Sequence, residues 1–149
     1  MVGTFALVFA GCGAIAVASA QPDVMSHGGV CAVFGLVIMV MIFATGHISG
    51  AHFNPAVTVA FAVIRRFSWR DVPLYIAGQL LAATAAAFLL RFVLGAEANL
   101  GATTPAADIT VAQAVVVEFV ITSFLMFVIT AVATDSRAEG HLAGLAIGG

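Results

Sequence analysis

The chain has 149 residues, of which 62% are apolar and 8% charged, with a formal net charge of −2. So few charged side chains cannot clothe a water-facing surface, so the composition excludes a soluble domain and makes the bilayer the expected solvent. It also excludes a nucleic-acid binder, because no basic patch is present to meet phosphate.

A hydrocarbon core of about 30 Å takes about 20 predominantly apolar residues per helix. Residues 2–20 make the first such run. It lacks the basic start of a signal peptide, and Phe9, Gly11 and Gly13 suit a packing face better than a cleavage site. Residues 21–28, with Pro22 and Asp23, form a short polar hairpin on the outer side. A second span is expected over 29–45. Residues 46–53 then break the pattern, being too glycine-rich and polar to continue a helix.

Asn54 and Pro55 start a new helix, since Asn is among the best residues before a helix and Pro is favoured at its first position. That helix, about 54–63, is roughly half the length of a span. Ala56, Val57, Val59, Ala60, Phe61 and Ala62 make it apolar almost all round, so it is re-entrant and not interfacial. A third span follows at 72–94, punctuated by Tyr75, Gln79, Thr84 and Arg91. An outer loop at 95–108 leads to a fourth span at 111–133, and a charged inner loop at 135–141 to the start of a fifth at 142–149.

The chain has five arginines and no lysine. Arg65, Arg66 and Arg70 precede the third span and Arg137 follows the fourth, which puts four of the five on one face if the Asn54 segment dips in and returns. The positive-inside rule makes that face cytoplasmic. Arg91 is the exception, near the far end of its span, where its stem can snorkel. Cys12 and Cys31 lie in apolar runs, so no disulfide or metal framework is implied and no cofactor is expected.

Sliding the chain by 118 positions sets Thr4, Leu7 and Phe9 on Thr122, Leu125 and Phe127. Apolar helices match each other easily, but four helices with a fifth begun is what a duplicated three-helix unit looks like when cut in its second copy. A second Asn-Pro-Ala is then expected near position 172.

A half-helix beginning at mid-membrane points unpaired N–H groups and about half a positive charge into the cavity it faces, which repels cations. The extended backbone before it must have its carbonyls buried in protein or lining water. Together they make a row of acceptors leading to the Asn54 carboxamide, able to pass a neutral hydrogen-bonding molecule without compensating a naked ion. Taken alone, Asn-Pro-Ala is more often a simple helix cap in a loop.

The sequence GHISGAHFNPAVT resembles the first signature loop of the aquaporin, or major intrinsic protein, family. GTFALVFAGCG resembles that family's first helix, RRFSWRDVPLYIAGQLLAA its third, VEFVITSFLMFVITAVATD its fourth and HLAGLAIGG the start of its fifth. The resemblance implies an all-α membrane protein, an inverted-repeat helical bundle with a re-entrant half-helix, cut in the fifth helix. It implies a channel and no catalytic residue. Asn54 would be the first of two pore-centre asparagines, with Pro55 and Ala56 at the tip that meets a second motif. The carbonyls of Gly50, Ala51, His52 and Phe53 would be acceptors along the path. Phe34 matches the second-helix position of the narrow filter. Glu118 would support a re-entrant loop through its backbone, and His47 would be a buried hydrogen-bonding residue under the loop. The lipid bilayer, water or a small neutral solute, and copies of itself in a homotetramer when full length would be its partners. A bacterial plasma membrane is the expected location.

Two features depart from the family pattern. The first-helix glutamate that would pair by symmetry with Glu118 falls one position before Met1, and the second motif and filter arginine fall beyond Gly149. The chain is therefore expected to be a fragment that cannot complete a pore alone. Phe34 favours water, whereas the third-helix and tail sequences resemble plant intrinsic-protein-like and related bacterial channels, some of which pass glycerol or uncharged metalloid acids. A secondary transporter is the competing class, but ion coupling needs several intramembrane carboxylates and only Glu118 is present. A non-conducting fragment is the third reading.

Overall fold

The computed structural model describes residues 1–95, 97–134 and 140–149. Arg137 and most of the inner loop expected at 135–141 lie outside the described residues. The elements in chain order are α1 (Val2–Ala20), α2 (His27–Ser49), α3 (Pro55–Val63), α4 (Val72–Leu94), a 3-10 turn (Glu97–Gly101), α5 (Val111–Thr134), a second 3-10 turn (Gly140–Leu142) and α6 (Ala143–Gly148). Four of these, α1, α2, α4 and α5, are long and apolar enough to cross a membrane, and no strand occurs among the described residues.

Small residues set how closely the helices approach, as expected where lipid removes the hydrophobic drive between them. On α1, Gly3, Gly11, Gly13, Ala14 and Ala16 are buried against α2 and α4. The Phe34 ring fills the space a side chain at Gly11 would need, and Leu90 of α4 does the same at Gly13. The first 3-10 turn folds back on α1 through Gly101, where a Cβ would come within 2.5 Å of the Cys12 carbonyl oxygen and φ is +73°. On the other flank α6 lies on α2, its Gly144 and Gly148 abutting Phe43, Met39 and Gly35.

One boundary differs from the sequence expectation in a way that matters. Residues Gly46 to Ser49 are helical, so α2 ends four residues later than the glycine and polar content of 46–53 suggested. Thr45 and Ser49 satisfy their hydroxyls within the helix, donating to the carbonyls of Met41 at 2.7 Å and Thr45 at 3.3 Å. The stop is Gly50, left-handed at φ 76°, whose N–H donates to the Gly46 carbonyl. Glycine adopts that conformation without steric cost and is the usual residue there.

Arg66 links two distant helix ends by donating to the Thr134 carbonyl at 3.2 Å. A guanidinium at the C-terminus of α5 meets the negative end of that helix's dipole. The contact puts the close of α3 and the close of α5 on the same side of the bundle.

Candidate functional site

Between α2 and α3 the backbone turns sharply. Ala51 and Phe53 join Gly50 at positive φ, 50° and 55°. For residues with a Cβ this conformation costs on the order of 1 kcal/mol or more each and persists only where the surroundings impose it. The Asn54 N–H donates back to the His52 carbonyl at 2.7 Å, closing a three-residue turn. Asn54 itself is extended, and its Oδ1 accepts from the Ala56 N–H at 2.8 Å while its main-chain carbonyl accepts from Thr58 N–H at 3.1 Å. With Pro55 in the first turn, the start of α3 is thus capped twice by one residue, a side-chain cap contributing about 1 kcal/mol.

Capping fixes which end of the carboxamide is spoken for. Oδ1 is committed to the half-helix, so the Asn54 NH₂ is left as the donor, and Asn54 is exposed to a cavity of about 500 Å³. Gly50, Ala51, His52, Phe53, Asn54 and Val57 line that cavity on one side, and Ile38, Ile42, Leu125, Ile129 and Ile147 supply an apolar wall. Pro55 and Ala56, the expected tip, follow at the mouth of α3, Ala56 exposed. Of the four expected acceptors, the His52 carbonyl is occupied by the Asn54 N–H.

A buried cluster behind the turn holds it in place. Thr58 is fully buried and its Oγ1 lies 3.2 Å from the Asn54 carbonyl, 3.1 Å from Gln79 Nε2 and 3.2 Å from His52 Nδ1. A hydroxyl has one proton and two lone pairs. With the proton donated to the Asn54 carbonyl and one lone pair taken by the Gln79 amide, the remaining lone pair assigns the His52 proton to Nδ1. The imidazole is packed by rings, with Phe61, Phe67 and Tyr75 centroids at 4.8, 4.9 and 4.8 Å. Tyr75 spans the turn, its hydroxyl donating to the Ser49 carbonyl at 2.9 Å and accepting from His52 N–H at 3.4 Å. From the front, Phe53 places its ring over Gly3 of α1, where a side chain would collide with it.

One expected placement is different in the structure. His47 is exposed on the last turn of α2, lining the cavity and not buried under the loop, and the histidine that supports the turn is His52. The reason is helical phase: extending α2 to Ser49 turns residue 47 toward the cavity. Glu118 is exposed on α5 beside Val115, Phe119 and Thr122. Phe34 packs on Gly11 and lines a cavity with the last turns of α1, His27, Cys31 and Thr103. Gln79 bonds to the Thr58 side chain. Tyr75 and Thr58 were not singled out by the sequence, although Tyr75 and Gln79, one turn apart in an otherwise apolar span, were the available signal.

No group of three or more His, Cys, Asp or Glu side chains gathers among the described residues. What the site offers is a one-sided donor, free acceptors and an apolar wall, with no charged side chain in the 50–54 turn.

A model of the family described as Major intrinsic protein matches residues 1–149. Among similar proteins, Aquaporin NIP1-1 of Oryza sativa subsp. japonica is 54% identical over 147 residues, which is 98% of this chain and 51% of the relative. Aquaporin NIP1-1 of Zea mays is 49% identical over 98% of the chain and 51% of the relative. Aquaporin NIP1-2 of Arabidopsis thaliana is 45% identical over 99% of the chain and 52% of the relative. The chain spans about half the length of these curated relatives. The capped half-helix, the strained turn before it and a match along its whole length agree: the chain belongs to the major intrinsic protein family.

Proposed function

We propose that this chain forms part of a passive transmembrane channel for water, performing no chemistry and supplying one half of a neutral hydrogen-bonded path. The observation that supports it most is the division of labour at Asn54, which lines the cavity beside residues 50–53: Oδ1 is held by Ala56 N–H, which leaves the carboxamide NH₂ as the side chain's donor. A water molecule can accept from that NH₂ and donate to a carbonyl of the turn in succession. An ion stripped of its hydration shell finds only weak dipoles there, and the N-terminus of α3 opposes a cation. Gly50, Ala51 and Phe53 supply the acceptors, and Pro55 with Ala56 forms the tip that would meet a second such motif. Phe34 acts, on this reading, as a filter residue nearer the outer end.

Glycerol and uncharged metalloid acids also donate and accept hydrogen bonds without carrying charge and are the second reading, compatible with the similarity to relatives named NIP aquaporins. The partners are the bilayer and, in the assembled protein, further copies of the chain. Arg65, Arg66 and Arg70 are placed on the cytoplasmic face by the positive-inside rule, and the tie from Arg66 to Thr134 supports a common side for the two loops they flank. We favour a bacterial plasma membrane.

The test is osmotic shrinkage of proteoliposomes holding the full-length protein. Faster shrinkage than in empty liposomes, with no accumulation of solute against its gradient, is expected. Permeability equal to that of empty liposomes, together with accumulation, would replace the channel with a transporter.

A further inference from the structure

At the opposite end of α2 from Gly50, His27 and Cys31 sit one helical turn apart with Cys31 Sγ 3.8 Å from His27 Nε2. Both are exposed, and both line a cavity of about 690 Å³ formed with the last turns of α1 and Thr103. Neither lines the cavity at Asn54. We propose that this pair is a binding site for one soft or borderline d¹⁰ cation, of the class of Cd²⁺, Zn²⁺ and Ag⁺, held by the Cys31 thiolate and His27 Nε2.

The geometry is already that of a chelate. Zinc–sulfur and zinc–nitrogen bonds of about 2.3 and 2.0–2.1 Å close across the observed separation at an angle of about 120°, and the longer bonds of Cd²⁺ close across it at a smaller angle, so an ion fits between the two atoms without backbone movement. Spacing of four along a helix fixes the pair on one face. Thiolate and imidazole together select soft and borderline ions, whereas Mg²⁺ and Ca²⁺ take oxygen ligands. The remaining coordination positions open to the cavity, where Met25 adds a thioether to the lining. On binding, the thiol gives up its proton to solvent as the sulfur–metal bond forms, so no redox partner is needed. The proposal is independent of what the channel conducts.

The test uses the protein in lipid nanodiscs in a Cys12→Ser background, which removes the other thiol. Titration with Cd²⁺ is followed by the ultraviolet charge-transfer absorption of the cadmium–thiolate bond. One ion per chain is expected, with the absorption abolished by Cys31→Ser and the affinity weakened about tenfold or more by His27→Gln. Complete maleimide labelling of Cys31 in the His27→Gln protein shows that the thiol stays accessible. No cadmium–thiolate absorption in the Cys12→Ser protein, or equal affinity with and without His27, overturns the proposal.

Discussion

α1 and α5 are the two helices related by the 118-residue shift, yet they meet opposite surroundings. In α1, 28% of the apolar window is buried inside the bundle, and in α5 only 6%. Thr4 is 5% exposed, while its counterpart Thr122 is exposed, as are Val115, Val116, Val117 and Phe119 around it. Both helices are apolar along their length, so apolarity alone does not separate a packed face from an open one, and the small residues of α1 mark where α2 and α4 approach it. Gly3, Gly11 and Gly13 admit Phe53, Phe34 and Leu90 onto α1, whereas the positions that the shift sets on them in α5 are Ile121, Ile129 and Ala131, of which Ile129 is buried with Val57 and Phe61.

The largest contrast is expected from the threonines. Thr58→Val keeps the shape but leaves the Gln79 amide and the His52 Nδ1–H without their shared partner, while the Asn54 carbonyl keeps the Thr58 main-chain N–H. Groups left unpaired in a buried site cost about 1–3 kcal/mol each, with partial relaxation, so a loss of about 2–4 kcal/mol and a clear fall in melting temperature in detergent are expected. Thr122→Val on α5 should change stability by under about 0.5 kcal/mol. If the two cost the same, the open face of α5 is covered by protein in solution and the comparison fails.

A second pair tests packing. Ala86 of α4 is fully buried, and Ala86→Leu should cost about 1–3 kcal/mol by overpacking. Val116→Leu on the exposed face of α5 should be nearly neutral in the same thermal unfolding measurement. Smaller still, Tyr75→Phe removes the donor to the Ser49 carbonyl and the acceptor for His52 N–H. About 1 kcal/mol is expected, together with faster amide exchange at His52, read by hydrogen exchange. Least of all, Glu118→Gln should leave the melting temperature of this chain unchanged, since no described residue bonds to it.

Much of the fold was legible because its signals are local. Span length, the Asn-Pro start and the half-length of α3 all follow from composition and capping. What was not legible depends on tertiary placement. Gly46, His47 and Ser49 carry the composition of a loop, but Thr45 and Ser49 satisfy themselves within the helix, and the break waits for the left-handed Gly50. That shift of four residues decides which histidine is buried, because it rotates His47 outward and leaves His52 to fill the pocket made by Phe61, Phe67 and Tyr75. The site itself was half visible: Asn54 and its cap came from the chain, while the Thr58 and Gln79 cluster that positions them joins residues 21 apart, a pairing that periodicity within one helix cannot reveal.

The central proposal is that the Asn54 site favours neutral molecules because the polar groups of the 50–54 turn are dipoles fixed by hydrogen bonds and not charges. Asn54→Asp tests it most directly, since the carboxylate can still cap Ala56 N–H while placing a negative charge where the NH₂ was. In proteoliposomes of the full-length protein, paired measurements of osmotic shrinkage and proton or sodium leak should show water permeability within a few-fold of the parent and a cation leak that the parent lacks. An unchanged cation leak with unchanged water permeability would contradict the account and move ion exclusion to another part of the path.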